Sequence, residues 1–586
     1  MNIPRSEFPR PDFERKIWLN LNGSWDFCFD DKDQGIAERW FNPNFANAFT
    51  LSIMVPFCFQ SKNSGIRDAS DHEILWYRRK FDLNKDFDNK RTILHFGAVD
   101  YQTDVWLNGA HVGFHKGGNV SFAMEISPFV KKSGNVLVVR VVDRNDLSQP
   151  RGKQYWKDGR DRCWYTRTSG IWQTVWLEAV GEYYIENFFI SPDIDASRVS
   201  IEVELDSTPI DGEFEAAVSF SDKKVVTVSQ TISSRIFTLS IDLKQMDGVD
   251  DIHLWSPSNP QLYQISFSLH VDGEIQDEVK SYFGMRKISV RNGMILLNNR
   301  PLYQRLVLDQ GYWPDSLLTP PSDEAIVHDI ELAKQLGFNG ARKHQKVEDP
   351  RYYYWADRLG FLVWGEMPSA YEFSSDEAEN LVIEFIEFIK RDRNHPSIIT
   401  WVPLNESWGV RNIVANSEQQ ALSRLLAEIA HTFDGTRLVS SNDGWEQTRT
   451  DICGIHFYAV DGDSLSKIFA NKEQLMSAAA SDRMIYAEGY QYRGEPVLLT
   501  EFGGIAFKNE KTGSWGYHHP ANSEEEFLKR FGSLFEAVRN IGYLSGYCYT
   551  QLYDVEQEVN GLATADRKLK VSLDKIRDII VKEAEK

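Results

Sequence analysis

RDRNHPSIITWVPLNESWG, running from Arg391 to Gly409, is the stretch around which the chain is organised. Ser397 to Leu404 is β-branched, aromatic and almost free of charge, a composition that suits a strand buried on both faces. Before it, Asp376 to Arg393 repeats Val382, Phe385, Ile386 and Ile389 at helical spacing, so a helix feeds the strand. The strand delivers Asn405 and Glu406 at its C-terminal end, followed by Ser407 and Trp408. A parallel (β/α)₈ barrel gathers its chemistry at such strand ends.

A second stretch, EPVLLTEFGG from Glu495 to Gly504, repeats the arrangement. Val497 to Leu499 reads as another short buried strand, with Thr500 and Glu501 at its end. Two glutamates from different strands converge on one barrel face. Such a pair suits glycoside hydrolysis, in which one carboxyl protonates the leaving oxygen and the other faces the anomeric carbon.

The rest of the barrel follows from alternating apolar strands and amphipathic helices. Pro321-Ser322-Asp323 opens a helix with Ile326, Ile330, Ala333 and Leu336 on one face, closed by Gly337. Strands are predicted at Phe338 to Arg342, Phe361 to Pro368, Ser397 to Leu404, Arg437 to Ser441, Ile452 to Phe457, Met484 to Ala487, Val497 to Thr500 and Tyr543 to Tyr549. Helices are predicted at Asp349 to Leu359, Glu418 to Phe433, Ser464 to Ala480 and Ser523 to Ile541. This catalytic unit spans 284–586.

Upstream the texture is all β. From 1 to 181, short alternating runs are broken by Gly, Asn, Asp and Pro, the pattern of a sandwich. DVWLNGAHVGFH marks a hairpin turning at Asn108-Gly109,. From 182 to 283, VSIEVELD, EAAVSFSD and QISFSLHVDG alternate with period two, which fits an immunoglobulin-like sandwich of about 100 residues.

At 586 residues the chain exceeds one core,. Its net charge of −20 argues against nucleic acid and against anionic membranes,. Aromatic residues reach 13%, with 17 Trp, which suits stacking on sugar rings,. The five cysteines are scattered without CxxC spacing, so no structural zinc site is expected and a reducing compartment is favoured. No signal-like apolar core or membrane-length run occurs, and the expected location is cytoplasmic.

The two glutamate motifs resemble those of glycoside hydrolase family 2, which holds β-galactosidases, β-glucuronidases and β-mannosidases. LNGSWDF, WYRRKF, VWLNG and SGIWQTVWLE resemble landmarks of the family's opening jelly roll, and LWSPSNPQLY resembles its linker-domain signature. The resemblance covers nearly the whole chain. It implies a jelly roll, an immunoglobulin-like sandwich and a TIM barrel, with Glu406 as acid/base and Glu501 as nucleophile of a retaining exo-β-glycosidase. It further implies that Arg342 braces the nucleophile, that Asn405 bonds a sugar 2-hydroxyl, and that His456 and Tyr458 lie near Glu501. Glu406 should then have a raised pKa, from partial burial and from the charge of Glu501. Trp445, Glu366 and Trp515 are further subsite candidates. Histidines in HPS and GYHHP lack paired carboxylates at ligand spacing,. No cofactor is expected to be required; some galactosidases of the family use magnesium, for which the sequence locates no site.

Sugar choice departs from the family patterns. Gln345 stands where many galactosidases have a sugar-contacting histidine, and Trp164 stands where several relatives have an aspartate. Asn560-Gly561-Leu562 lacks the lysine of the glucuronidase clamp. Lys343, His344 and Lys346 offer an alternative basic pocket for an acidic sugar, against a reading as solvated lysines. Family frequency favours a β-galactoside; a galacturonide or other uronide, a mannoside and an arabinoside are the alternatives. A non-catalytic carbohydrate-binding protein is the rival from another class. A homo-oligomer is compatible with the family resemblance.

Overall fold

The computed structural model describes residues 3–244, 252–477, 479–480, 482–507 and 513–582. Its N-terminal part is a sandwich of a six-stranded and a four-stranded antiparallel sheet. Gln102–Leu107 and Ala110–Lys116 form the expected hairpin. Asn108 and Gly109 both have positive φ, 54° and 89°, as the tight turn that matches strand twist requires. A second sandwich packs a three-stranded sheet against a four-stranded one, around Phe188, Phe214, Phe267 and Val279.

The C-terminal part is a curled sheet of eight parallel strands: β1 (Gln304–Asp309), β2 (Gly340–Lys343), β3 (Leu362–Glu366), β4 (Ile398–Val402), β5 (Leu438–Val439), β6 (Cys453–His456), β7 (Val497–Gly503) and β8 (Leu544–Thr550). Their spatial order is β5-β4-β3-β2-β1-β8-β7-β6. The two end strands are joined by Asp451 N–H donating to Val439 C=O at 2.9 Å and His456 N–H to Gly444 C=O at 3.2 Å. Leu306, Leu308, Leu362, Trp364, Ile399, Leu438, Leu498 and Cys548 form the inner core. Ile288, Ile295 and Leu297 of the preceding hairpin join them and close one end. The other end carries polar side chains.

The helices begin and end where their caps say. α1 (Asp323–Leu336) starts at Ser322, whose hydroxyl accepts from Ala325 N–H, and stops at Gly337,. α2 (Pro350–Leu359) has Asp349 as its cap and Pro350 in its first turn,. α3 (Ser375–Asp392) is capped by Ser374 and leads into β4.

Two strand expectations are corrected. Met484 to Ala487 is not a barrel strand; it pairs with the segment after β5, where Glu446 and Gln447 N–H donate to Met484 and Ile485 carbonyls at 2.7 and 3.0 Å. A buried apolar run reads as a strand whichever wall it packs on. The missing strand is β1, which follows a two-residue-period hairpin without a break in texture, so its start is hidden in the sequence. The helix expected over Ser464 to Ala480 is instead two shorter ones, α4 (Ser417–Phe433) being followed by α5 (Gly462–Ile468) and α6 (Lys472–Ser477). Residue 478 of that stretch lies outside the described residues.

The N-terminal sandwich grips the barrel through buried polar contacts. The Glu384 Oε2 of α3 accepts from Gly118 N–H, Asn119 N–H and Asn119 Nδ2 at 3.1, 3.1 and 2.8 Å. Burial raises its pKa to about 7 against the pull of those donors. The folded value is above the unfolded one, so this group favours the fold at low pH, and that contribution is lost as pH rises through about 7,. Glu384 Oε1 is buried without a partner. Glu384→Gln keeps an accepting oxygen and removes the buried charge; it is expected to raise Tm at pH 8 and change it little at pH 5, checked by calorimetry at both.

Candidate active site

Arg342, Glu366, Asn405, Asp443, His456 and Glu501, from the ends of β2 to β7, meet at the open end of the barrel, with Arg342 at their centre. Its guanidinium is fully buried. Nε donates to Glu366 Oε2 at 2.6 Å, and Nη1 lies 2.9 Å from both Glu501 Oε1 and Asp443 Oδ2. Nη2 donates to Asn405 Oδ1 at 2.5 Å. Because that bond fixes the amide, Asn405 presents its Nδ2 inward, buried and without a partner. This is a donor held ready for an oxygen that the protein does not supply.

His456 bridges the two glutamates. Its Nδ1 is 2.8 Å from Glu406 Oε1 and 3.6 Å from Glu501 Oε1, and its Nε2 is 3.1 Å from Asp443 Oδ2. Burial alone would strip its proton, but Glu501, Asp443 and Glu406 outweigh that and raise the imidazolium to about 10,. Burial would likewise neutralise Glu501, yet His456 and Arg342 hold its carboxylate at about 2. Asp443 is held well below the usual carboxylate range: burial opposes this, and Arg342 and His456 prevail.

Tyr458 donates to Glu501 Oε2 at 2.6 Å and has Thr550 Oγ1 at 3.0 Å as an alternative partner. Its ring stacks on Tyr517 at 3.5 Å between centroids. The Glu501 side chain is 5% exposed, whereas that of Glu406 is 18% exposed. Glu406 and Ser407 both have left-handed backbones, φ 51° and 57°, which turn the chain sharply after β4. Glu406 N–H donates to Asp443 C=O at 2.9 Å, and Ser407 N–H to Asn442 Oδ1 at 2.9 Å. The segment after β5 therefore fixes the one after β4. One oxygen from Glu406 and one from Glu501 lie within 4.8 Å of each other and of a His456 ring nitrogen.

The other residues singled out in the sequence take different places. Gln345 has left-handed φ of 55° and a committed amide: Nε2 donates to Glu366 Oε1 and Ser369 Oγ at 2.9 and 3.0 Å, and Oε1 accepts from Ser369 N–H at 2.8 Å. It braces Glu366. Trp445 lies 5.7 Å from the His456 ring, with its indole N–H buried and unpartnered. Trp515 packs 4.9 Å from Tyr517, one ring removed from Tyr458. Lys343 and Lys346 are not solvated; Lys343 pairs with Asp309 at 2.7 Å and Glu348 at 2.8 Å, and Lys346 with Glu348 at 2.8 Å. His344 is neutral, since burial and the nearby Lys153 and Arg342 push its pKa well down.

A loop of the N-terminal sandwich completes the wall. Arg151 and Gly152 N–H donate to Ser369 C=O at 3.1 and 3.0 Å. Gly152 has φ 57°, and a Cβ there would stand 2.2 Å from the Gln345 carbonyl oxygen, so only glycine permits this approach. The loop brings in Lys153, Trp156 and Trp164. Trp164 Nε1 donates to Tyr371 Oη at 2.7 Å, and its ring is 5.8 Å from Trp408. Sequence reasoning did not single out Asp443, Tyr517, Thr550 or Lys153. Asp443 had a signal, following β5 as Glu406 follows β4, and so did Thr550, which ends β8; Tyr517 opens a short strand outside the barrel sheet, and Lys153 comes from a different domain.

Comparison with known proteins agrees with this arrangement. The model of the sugar binding domain of glycosyl hydrolases family 2 matches residues 18–180, a second model of that family matches 183–286, and its TIM barrel domain model matches 288–583. A β-galactosidase of Thermoanaerobacter pseudethanolicus is 26% identical over 72% of this chain and 54% of its own length. The chain thus spans about half the length of that relative. A β-glucuronidase of Paenibacillus borealis is 22% identical over 91% of this chain and 90% of its own. In fold, the chain is similar to the β-glucuronidase of Bifidobacterium dentium, with a TM-score of 0.80, 21% identity and 98% of each chain covered. With all three of its parts matched in order, the chain belongs to glycosyl hydrolases family 2.

Proposed function

We propose that this protein is a retaining exo-β-glycosidase that releases a terminal sugar, with Glu501 as nucleophile and Glu406 as acid/base. The observation carrying this is the pair itself. One oxygen from each lies within 4.8 Å of one from the other; retaining pairs stand roughly 5–5.5 Å apart and inverting pairs roughly 6.5–9.5 Å, to leave room for a water, so this close approach supports retention. Their surroundings also differ. Glu501 is held ionised by Arg342 and His456, while Glu406 faces the opening,.

In the first step a Glu501 oxygen bonds to the anomeric carbon as the glycosidic bond breaks, and Glu406 gives its proton to the departing oxygen. As Glu501 loses its charge in the ester, the Tyr458 hydroxyl can turn to Thr550 Oγ1. In the second step Glu406 takes a proton from water, whose oxygen bonds to the anomeric carbon and releases Glu501. Asn405 Nδ2 is the donor for the sugar 2-hydroxyl oxygen, a bond that strengthens in the transition state,. The sandwich loop with Trp164 walls one side of the pocket, which favours a terminal sugar over an internal one.

The reaction as written uses no metal. Glu406, His456 and Glu501 are grouped closely enough to hold a cation, but Arg342 and the protonated His456 already balance that charge. Dialysis against a chelator is expected to leave kcat unchanged. The five cysteines are unpaired, which supports a cytoplasmic setting. No helix among the described residues is long and apolar enough to cross a membrane. β-Galactosides, the choice of family frequency, and β-glucuronides are the two substrates named by the relatives. The test is proton NMR of the first product formed from aryl β-glycosides of both classes. The β-anomer appearing first supports the double displacement; the α-anomer first would refute it.

A further inference from the structure

The sandwich loop places one buried cation at the barrel mouth without giving it an anion. Lys153 is 6% exposed, and its ammonium lies 5.0 Å over the ring of Trp408, two residues after Glu406. Among the described residues the ammonium makes no hydrogen bond and no ion pair. Two other buried lysines near it in the fold, Lys343 and Lys346, each pair with carboxylates. A buried ammonium without a partner costs several kcal/mol, so a fold that retains one has a use for it.

The surroundings exclude an internal partner. Glu558, whose charge acts on Lys153, makes no ion pair with it and bonds elsewhere: its Oε2 accepts from Tyr165 Oη and its Oε1 from Asn560 Nδ2 at 3.0 Å. Trp156, Trp164, Tyr371 and Trp408 form an aromatic wall, with neighbouring centroids 4.3 to 5.8 Å apart. Two polar atoms of that wall are taken, Trp164 Nε1 by Tyr371 Oη and Tyr371 Oη by the Gly152 carbonyl, and an indole N–H offers an ammonium no acceptor. Lys153 remains charged. Burial opposes this, but Cys163, Glu558, Glu501 and Glu406 outweigh it and raise its pKa. It therefore sits within the field of both candidate catalytic carboxylates, charged and uncommitted.

We propose that Lys153 receives the carboxylate of the sugar bound between Glu406 and Glu501, making the chain selective for β-uronides. This rests on the glycosidase reading above and deepens it. A sugar carboxylate replaces the missing anion, while the aromatic wall covers the apolar face of the ring. Arg342 and His456 keep the paired glutamates from repelling it.

The test uses matched 4-nitrophenyl glycosides: β-D-glucuronide against β-D-glucoside, and β-D-galacturonide against β-D-galactoside. Wild type is expected to favour one uronide over its neutral match by roughly 100-fold or more in kcat/KM. Lys153→Met is expected to collapse that ratio by about 100-fold, mainly through KM, while Lys153→Arg retains it to within about tenfold. Equal Tm values for the variants and wild type exclude a folding effect. Neutral glycosides favoured by wild type, or an unchanged ratio in Lys153→Met, would overturn the proposal. Faster turnover of a 6-O-sulfated hexoside than of either uronide would overturn the carboxylate assignment. The 2-deoxy-2-fluoro glycosyl fluorides of all four sugars separate the two readings. Labelling of Glu501 by a neutral sugar alone sinks the Lys153 proposal only. Failure of all four to label Glu501, together with no turnover of any substrate, removes the glycosidase reading itself.

Discussion

Glu501→Ala is expected to lower kcat on an aryl glycoside by roughly 10⁵-fold, since no other group can form the covalent bond to the anomeric carbon. The loss should fall on kcat, because the pocket retains its wall and Asn405. Added azide then distinguishes the two glutamates. In Glu501→Ala, azide occupies the nucleophile's side and bonds to the anomeric carbon as aryloxide leaves, giving an α-glycosyl azide. In Glu406→Ala, the glycosyl ester on Glu501 forms first from a 2,4-dinitrophenyl glycoside, whose leaving group needs no proton. Azide then displaces Glu501 and gives the β-glycosyl azide. Identical products from both variants would show that the roles are misassigned.

Arg342→Met is expected to have the largest effect on stability. The side chain is fully buried and touches Glu366, Asp443, Glu501 and Asn405. Without it, three buried carboxylates lose their shared cation, and removal of one partner from a buried charge network costs about 3–5 kcal/mol. Urea unfolding should show that loss, and kcat should fall as well, because Glu501 is then less firmly held ionised. Arg342→Lys should recover only part of both effects, since a single ammonium cannot reach four acceptors in fork geometry. A variant as stable as wild type would mean that the carboxylates take up protons and that the network is not held by charge.

The candidate site was legible to the extent that it sits on barrel strands. Glu406 and Glu501 each follow a short apolar run, and the run predicts both the strand and the end at which the side chain emerges. Arg342, His456 and Tyr458 were legible for the same reason. Gln345 was expected to contact the sugar, whereas its amide is committed to Glu366 and Ser369; a glutamine facing a sugar and one bracing Glu366 have the same sequence context. The basic look of Lys343 to Lys346 was misleading in the same way. Their partners Asp309 and Glu348 are close in space, and pairing across strands is a property of the fold.

The chain by itself determined three parts in order, a barrel at the end, and two carboxylates brought to one face of it. These follow from hydrophobic period and turn chemistry, which act over a few residues. Tertiary structure decided how those carboxylates are charged, because Arg342, Asp443 and His456 lie up to 159 positions from Glu501 and meet it only when the sheet curls. It also decided what reaches the pocket from outside the barrel. Lys153 belongs to a sandwich more than 200 residues before Glu406, and only the packing of Gly152 against the Gln345 carbonyl brings it there.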